Sequence, residues 1–249
     1  MTALILLDFA GRRPEASLDQ LELDRAGVDC QPLLEQSTPD SVDAPSYAKA
    51  LMLASDPDRP IDGIVAYCAA SPLAVAVSHL TGAPVVFLDP AASEEQDIVG
   101  KYAEIVRQID GSGPTTRTSP LIDIASKLAE PAKLITAIRR DLSLRATRSL
   151  QRDGFGAAET AAAMSHTVGV YVRWLTFLVA MHHDEQPPLA RPALRVLSRD
   201  HPAKTPLLGI EKAPAVRVDC TRADLARHAS TRAAVLEFFH VTTSRSPKG

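Results

Sequence analysis

Short apolar runs alternate with helical stretches over the first ninety residues. Uninterrupted aliphatic runs predict three buried strands: Ala3–Leu7, 64–67 and Val85–Leu88. The spacing of apolar residues between these runs predicts helices at 16–26, 47–54 and 71–80. Strands that are apolar throughout and alternate with helices are typical of a mainly parallel sheet that is covered on both faces.

The pattern changes beyond the third strand. Residues 93–184 carry helical signals only, including a long apolar helix over 157–181. Strands then return at Ala193–Leu197 and 216–220, and a helix follows over 225–239. We therefore predict a single α/β domain over 1–249, with a core formed by 1–90 and 190–240 and a helical lid inserted at about 93–184.

Charge and composition narrow the function classes. Lys and Arg total 27 against 30 Asp and Glu, which gives a net charge of −3. A weakly acidic chain is not expected to be a nucleic-acid scaffold, because phosphate binding needs a clustered cationic surface. No apolar run approaches the ~20 residues that cross a bilayer, so no membrane partner is expected. Three widely spaced cysteines and no recognisable signal peptide predict a cytoplasmic protein without disulfides.

The residues around Cys68 carry the sharpest chemical signal. The predicted strand ends at Tyr67, and a helix begins soon after Cys68. Small residues lie two positions before and after it, at Ala66 and Ala70, as the tight turn of a nucleophile elbow requires. A helix N-terminus behind a thiol favours the thiolate. The alternative is a buried structural cysteine, since Cys is often a small core residue.

With this turn and the order of core, lid and core, the chain resembles the α/β-hydrolase thioesterases of polyketide and nonribosomal peptide biosynthesis. The resemblance implies that Cys68 stands in the place of the family's Ser. It also implies that the backbone amides of Ala10 and Ala69 hold an oxyanion. The implied activity is acyl transfer, cyclisation or hydrolysis on a thioester carried by phosphopantetheine, with no cofactor bound to the chain itself.

Two residues are candidates for the triad acid. Asp89 follows the third strand, and Asp200 follows the strand after the lid. The family takes its acid at either place. Parallel strands bring their carboxyl ends to one edge of the sheet, so either carboxylate is expected near Cys68, and we favour Asp89. Both are also natural turn residues, which is the structural alternative.

The family's catalytic His is missing from its usual place after the last strand. Arg222 or Thr221 occupies that position. His228 lies further on and reaches the site only if 223–227 forms a loop, whereas His201 is the other possible base. A thiol needs a base less than a hydroxyl does, but water needs one for deacylation. The chain is thus predicted to favour transfer or cyclisation over hydrolysis.

Partner binding and loss of catalysis are the remaining alternatives. Arginines cluster over 139–152, at Arg139, Arg140, Arg145, Arg148 and Arg152. They form either a solvated helix face or a dock for an acidic acyl or peptidyl carrier protein. Arg222 in place of His equally suits a non-catalytic protein that binds a carrier protein or an acyl ligand. The adjacent His182 and His183 point in different directions on a helix, so no metal site is expected.

Overall fold

Six parallel strands form the sheet that positions the candidate site. The computed structural model describes residues 2–8, 17–56, 59–111, 122–152, 157–184, 187–202 and 209–244. The strands are β1 (Ala3–Leu7), β2 (Asp29–Pro32), β3 (Gly63–Tyr67), β4 (Val85–Leu88), β5 (Ala193–Leu197) and β6 (Ala215–Arg217). They lie in the order β2-β1-β3-β4-β5-β6. The predicted parallel α/β sheet is thereby confirmed.

Burial explains why the central strands form. Every residue of β1 and β4 is buried, and so is all of β3 except its last residue, Tyr67. Side chains that are apolar on both sides of a strand fit a sheet with no solvent-facing surface. The register pairs Tyr67 with Leu88, and Leu88 in turn with Val196. The residues that follow these three positions therefore meet at the carboxyl edge of the sheet.

Seven α-helices accompany the sheet within the described residues: α1 (Leu33–Gln36), α2 (Ala44–Ala54), α3 (Ser71–Thr81), α4 (Glu95–Asp110), α5 (Pro131–Arg152), α6 (Ala157–His182) and α7 (Ala229–Ser244). Gly63 is needed where α7 meets the sheet. A Cβ at this position would lie 2.1 Å from the ring of Phe239, far inside van der Waals contact. Among the described residues, no helix is both long enough and apolar enough to cross a membrane.

The chain divides into two compact units. The first comprises Met1–Pro39, Ala44–Ala92 and Asp184–Gly249, and it contains the whole sheet. The second comprises Asp40–Asp43 and Ser93–His183, with helices α4, α5 and α6. The division of the chain into one domain with a lid remains a prediction.

A buried polar network ties α4 to α5 within the second unit. The Tyr102 hydroxyl donates to the carboxylate of Asp141, which also accepts from Arg145 Nε at 2.8 Å. Arg145 donates through Nη1 to Asp110 at 2.7 Å. Burial, followed by the hydrogen bond to Asp141 and the charge of that carboxylate, raises the pKa of the Tyr102 hydroxyl. The Arg145 guanidinium is thus held in the interior by Asp141 and Asp110, so it does not contribute to a cationic surface.

Several elements differ from the sequence prediction, including the last helix, which was expected over 225–239 and is observed as α7 at Ala229–Ser244. The helix expected over 16–26 is replaced by two 3₁₀ helices, Leu18–Leu21 and Leu23–Ala26, because Glu22 between them adopts a left-handed φ of 47°. β2 was not predicted. β6 ends at Arg217, short of the predicted 216–220, because the chain turns there and the Cys220 N–H donates to the Val218 carbonyl.

Candidate functional site

Cys68 occupies a strained turn between β3 and α3. The strand ends at Tyr67, a 3₁₀ turn covers Cys68–Ala70, and α3 begins at Ser71. Cys68 has a φ of +53°, in the left-handed region that residues other than glycine rarely adopt. Such a conformation persists only where the surrounding structure holds it, and it is frequent at functional sites. The side chain is half-buried.

Hydrogen bonds to the Cys68 carbonyl hold this turn in place. The Ser71 backbone N–H and the Ser71 hydroxyl both donate to it, the hydroxyl at 2.7 Å. The N–H of Ala91, in the loop after β4, donates to the same oxygen at 3.2 Å. Ser71 is fully buried. The turn is therefore fixed from its own helix and from the neighbouring strand, which offsets the strain at Cys68.

Asp89 follows β4 at the same edge of the sheet. It is fully buried, and its φ is +41°. Its carboxylate accepts from the Ser198 N–H at 2.7 Å and from the Ser198 hydroxyl at 2.6 Å. A buried carboxylate is stable only when such donors replace water. Ser198 follows β5, and no pattern in the sequence marks it as a site residue.

Arg222 supplies the positive charge opposite Asp89. Its Nε–H donates to Oδ2 of Asp89 at 3.2 Å, and its side chain is 34% exposed. The Tyr67 hydroxyl donates to the Arg222 carbonyl at 3.2 Å, which fixes the backbone of Arg222 beside the end of β3. Arg222 therefore contacts Asp89, the residue that the sequence analysis favours as the triad acid.

The charges of Cys68, Asp89 and Arg222 influence one another. Burial alone would lower the pKa of the Arg222 guanidinium, but the neighbouring charges of Cys68 and Asp89 and the hydrogen bond to Asp89 raise it. Arg222 therefore lies close enough to interact electrostatically with both Cys68 and Asp89. An arginine stays protonated at neutral pH and cannot accept a proton as a general base.

The other two cysteines lie in environments that favour the neutral thiol. Burial, together with the nearby carboxylates of Asp24 and Asp29, raises the pKa of Cys30 to about 11. Burial and then the charges of Asp224 and Asp89 raise the pKa of Cys220. The thiolate is the reactive form of cysteine. We therefore expect Cys30 and Cys220 to react slowly with electrophiles.

The remaining predicted site residues are distributed as follows. Ala69 lies in the 3₁₀ turn directly after Cys68. Asp200 is exposed, and its Oδ1 lies 4.0 Å from Nε of Arg199. His228 precedes α7, where its Nδ1 accepts from the Ser230 N–H at 3.2 Å. Ala10 lies outside the described residues.

His201 is buried next to the loop that follows β4. Its Nε2 lies 3.0 Å from the Pro90 carbonyl, which can only accept, so Nε2 carries the proton. Its Nδ1 is buried and has no hydrogen-bond partner among the described residues. His201 thus supports the chain beside Asp89. The described residues contain no cluster of three or more metal-ligating side chains. His182 Nδ1 contacts the Ser93 carbonyl at 2.8 Å.

Comparison with known proteins identifies the fold. No protein-family model matches the chain, and no curated protein matches it. A four-domain nonribosomal peptide synthetase, solved in its holo form with AMP and glycine, aligns with 99% of this chain at a TM-score of 0.52 and 15% identity. The chain covers only 20% of that synthetase.

Two structures of a Pseudomonas aeruginosa protein described as an epoxide hydrolase also align with 98% of this chain, and the chain covers 90% of each. Their TM-scores are 0.51 and 0.50, at 10% and 11% identity. Identities this low establish the fold and not the activity. The parallel six-stranded sheet, with a strained residue where β3 meets α3, has the α/β-hydrolase fold.

Proposed function

We propose that the chain is a thioesterase-like acyltransferase that uses Cys68 as its nucleophile. The observation that carries the proposal is the left-handed φ of +53° at Cys68, in a turn held by three donors to its carbonyl. A strained residue at the junction of a strand and a helix presents its side chain at the edge of the sheet. Arg222 adds a positive charge that interacts with the Cys68 side chain.

The proposed substrate is an acyl thioester on the phosphopantetheine arm of an acyl or peptidyl carrier protein. The Cys68 thiolate attacks the thioester carbonyl, and a C–S bond to Cys68 forms. The oxyanion is held by backbone amides, for which Ala69 and Ala10 are the candidates, with the Arg222 guanidinium as a further donor. The carbon–sulfur bond to the pantetheine then breaks, and its thiolate leaves and takes a proton from water.

The second half of the reaction follows from the replacement of His by Arg. Water is a poor nucleophile without a general base, which contributes about 10²–10⁴-fold to such steps. An amine or a thiol on a second substrate attacks the acyl-Cys68 carbonyl without that help. Its attack breaks the bond to Cys68 and releases the thiolate, while the attacking amine or thiol loses one proton to solvent. Transfer or cyclisation is therefore favoured over hydrolysis.

Intact-protein mass spectrometry tests this proposal. The wild-type chain and Cys68→Ala are mixed with a panel of acyl-pantetheine thioesters. We expect an acyl mass gain on the wild type alone, which persists in water and disappears when an amine or a thiol is added. Absence of any adduct from the whole panel, or an equal adduct on Cys68→Ala, would contradict the nucleophile assignment.

A second candidate function is binding without turnover. It is favoured by the ion pair of Arg222 with the buried Asp89, which occupies the acid that a His would otherwise use. Such a protein would hold a carrier protein or an acyl ligand. Alkylation separates the two candidates: an enzyme nucleophile reacts with iodoacetamide faster than a model thiol, and Arg222→Gln slows that reaction. Arg199→Gln removes an exposed charge nearby and serves as the control.

A further inference from the structure

One face of α5 carries two exposed arginines around an exposed leucine. Leu144 is 46% exposed. Arg140 and Arg148 lie one turn before and one turn after it, and both are exposed. Residues four apart are neighbours on a helix surface. We name these three residues the α5 stripe.

The opposite face of α5 accounts for the packing of the helix. Its buried residues are Leu134, Ile135, Ile138, Asp141, Leu142, Arg145 and Ala146. The α5 stripe is therefore not required for the interior of the second unit. No hydrogen bond or ion pair joins Arg140 or Arg148 to another described residue, whereas Arg139 pairs with Asp40 at 3.3 Å. Within the described part of the chain, neither arginine of the stripe is held by a carboxylate.

The composition of the stripe points to a particular class of partner. Two arginines eight residues apart span about 12 Å along the helix, a distance that a second helix can match with acidic residues two turns apart. A leucine between them offers an apolar contact. A nucleic-acid site uses several more phosphate contacts, about 6–10 in well-studied cases, and gains nothing from a leucine. A single leucine is also too little apolar surface to anchor a membrane-bound face.

We infer that the α5 stripe docks an acidic amphipathic helix of the carrier protein that brings the acyl thioester. The class of partner rests on the proposed function, whereas the place of contact is inferred from the stripe alone. Arg140 and Arg148 pair with carboxylates of the carrier helix, and Leu144 packs on an apolar residue between them. Electrostatic complementarity of this kind sets the encounter rate and the register of the docked helix.

Fluorescence anisotropy tests the docking surface directly. The probes are fluorophore-labelled, phosphopantetheinylated acyl and peptidyl carrier proteins, titrated with the full chain at low ionic strength. We expect Arg140→Glu and Arg148→Glu each to weaken the binding of the carrier that the wild type prefers by about tenfold, and salt to weaken it further. Leu144→Asp should weaken it at least as much. All three positions are exposed, and thermal unfolding checks that each variant is folded.

Arg139→Glu is the matched control, because it makes the same charge change one residue away from Arg140 at a position that pairs with Asp40. Its binding should stay within about twofold of the wild type. The inference is overturned if the wild type binds no carrier in the panel, or if Arg139→Glu weakens binding as much as the stripe variants. It is also overturned if duplex DNA or anionic vesicles bind through the stripe in place of carriers.

A second readout keeps this inference apart from the proposed function. The stripe variants should form the Cys68 adduct with a small acyl-pantetheine at the wild-type rate, and should lose rate only with carrier-bound substrate. Cys68→Ala should bind carriers as the wild type does. If the wild type binds carriers through the stripe but forms no adduct, only the nucleophile assignment is refuted. If the wild type forms the adduct but the stripe variants bind carriers as tightly as the wild type, only the docking surface is refuted.

Discussion

The Arg222 Nε–H donates to Oδ2 of Asp89 across 3.2 Å, although the two residues lie 133 positions apart. Asp89 has no exposed surface, whereas a third of the Arg222 side chain remains open to solvent. A permanently charged group, which cannot act as a base, therefore contacts the carboxylate of Asp89. Under the proposed function, this pair leaves the acyl-Cys68 intermediate without a base that activates water.

Replacing Arg222 by His should restore hydrolysis. The imidazole of Arg222→His would use one nitrogen on Asp89 and present the other to a water molecule beside the acyl group. We expect the acyl-Cys68 adduct to decay about 10²-fold faster in water than in the wild type, since general-base catalysis contributes about 10²–10⁴-fold. The decay is followed by intact mass. Arg222→Gln, which has no basic nitrogen, should not accelerate it, and equal lifetimes for His and Gln would refute the explanation.

Asp89 and Asp200 should differ sharply in their effect on stability. Asp89→Ala removes the acceptor of the Ser198 donors and leaves Arg222 without its partner. We expect it to lower the free energy of unfolding by about 3 kcal/mol, as broken buried charge networks do. Asp200→Ala, at an exposed position, should change it by less than about 0.5 kcal/mol. Urea unfolding measures both, and similar values for the two variants would contradict the structure.

The strain at Cys68 should appear as a gain in stability when it is relieved. A left-handed conformation costs a residue with a Cβ about 1–2 kcal/mol, and glycine avoids this cost. Cys68→Gly should therefore raise the free energy of unfolding by about 1 kcal/mol relative to Cys68→Ala, which keeps the strain. Both variants lack the thiol, so the comparison isolates the backbone. A glycine variant that is less stable than the alanine variant would mean that the turn is not strained.

Asp8 should make stability depend on pH. Burial raises the pKa of its carboxyl above the ordinary 3.8, although the Leu18 N–H partly offsets this. The contribution of a group with a raised pKa is fully present below its unfolded value and is lost as pH rises through its folded value. Asp8→Asn keeps an acceptor for the Leu18 N–H and does not titrate.

The urea midpoint of Asp8→Asn should therefore exceed that of the wild type by a margin that grows as the pH rises from about 4 to about 7. Asp62→Asn is the control, since Asp62 also accepts a backbone N–H, from Ala3 at 2.8 Å. A wild-type advantage that grows with pH would have the wrong sign and would refute the assignment.

The sequence predicted the central strands well because their apolar runs need no tertiary information. β2 escaped prediction because its residues, Asp29 to Pro32, are largely polar, and its partner is the backbone of β1. One predicted helix is replaced by two 3₁₀ turns because Glu22 adopts a left-handed φ. The spacing of apolar residues carries no information about this angle.

The candidate site likewise contains residues that could be predicted from the sequence and residues that could not. Cys68 and Asp89 were predicted because each follows a recognisable buried strand. Arg222 was placed at the position of the missing His, but its hydrogen bond to Asp89 depends on where β5 and the chain after β6 lie. Ser198 gave no signal in the sequence, since a serine after a strand is unremarkable. Only the structure shows that the N–H and the hydroxyl of Ser198 both donate to the buried carboxylate of Asp89.

The bonds of Asp89 also determine the order in which the molecule can be completed. Ser198 lies 109 residues after Asp89, and the whole of the second unit's long segment is synthesised between them. Contacts of such long sequence separation carry a large loop-closure entropy and form late in folding. On the ribosome, the thiol of Cys68 emerges long before Arg222 does. A nascent chain therefore holds Cys68 without the neighbouring guanidinium, and the complete set of Cys68, Asp89, Ser198 and Arg222 exists only once almost the entire polypeptide has been synthesised.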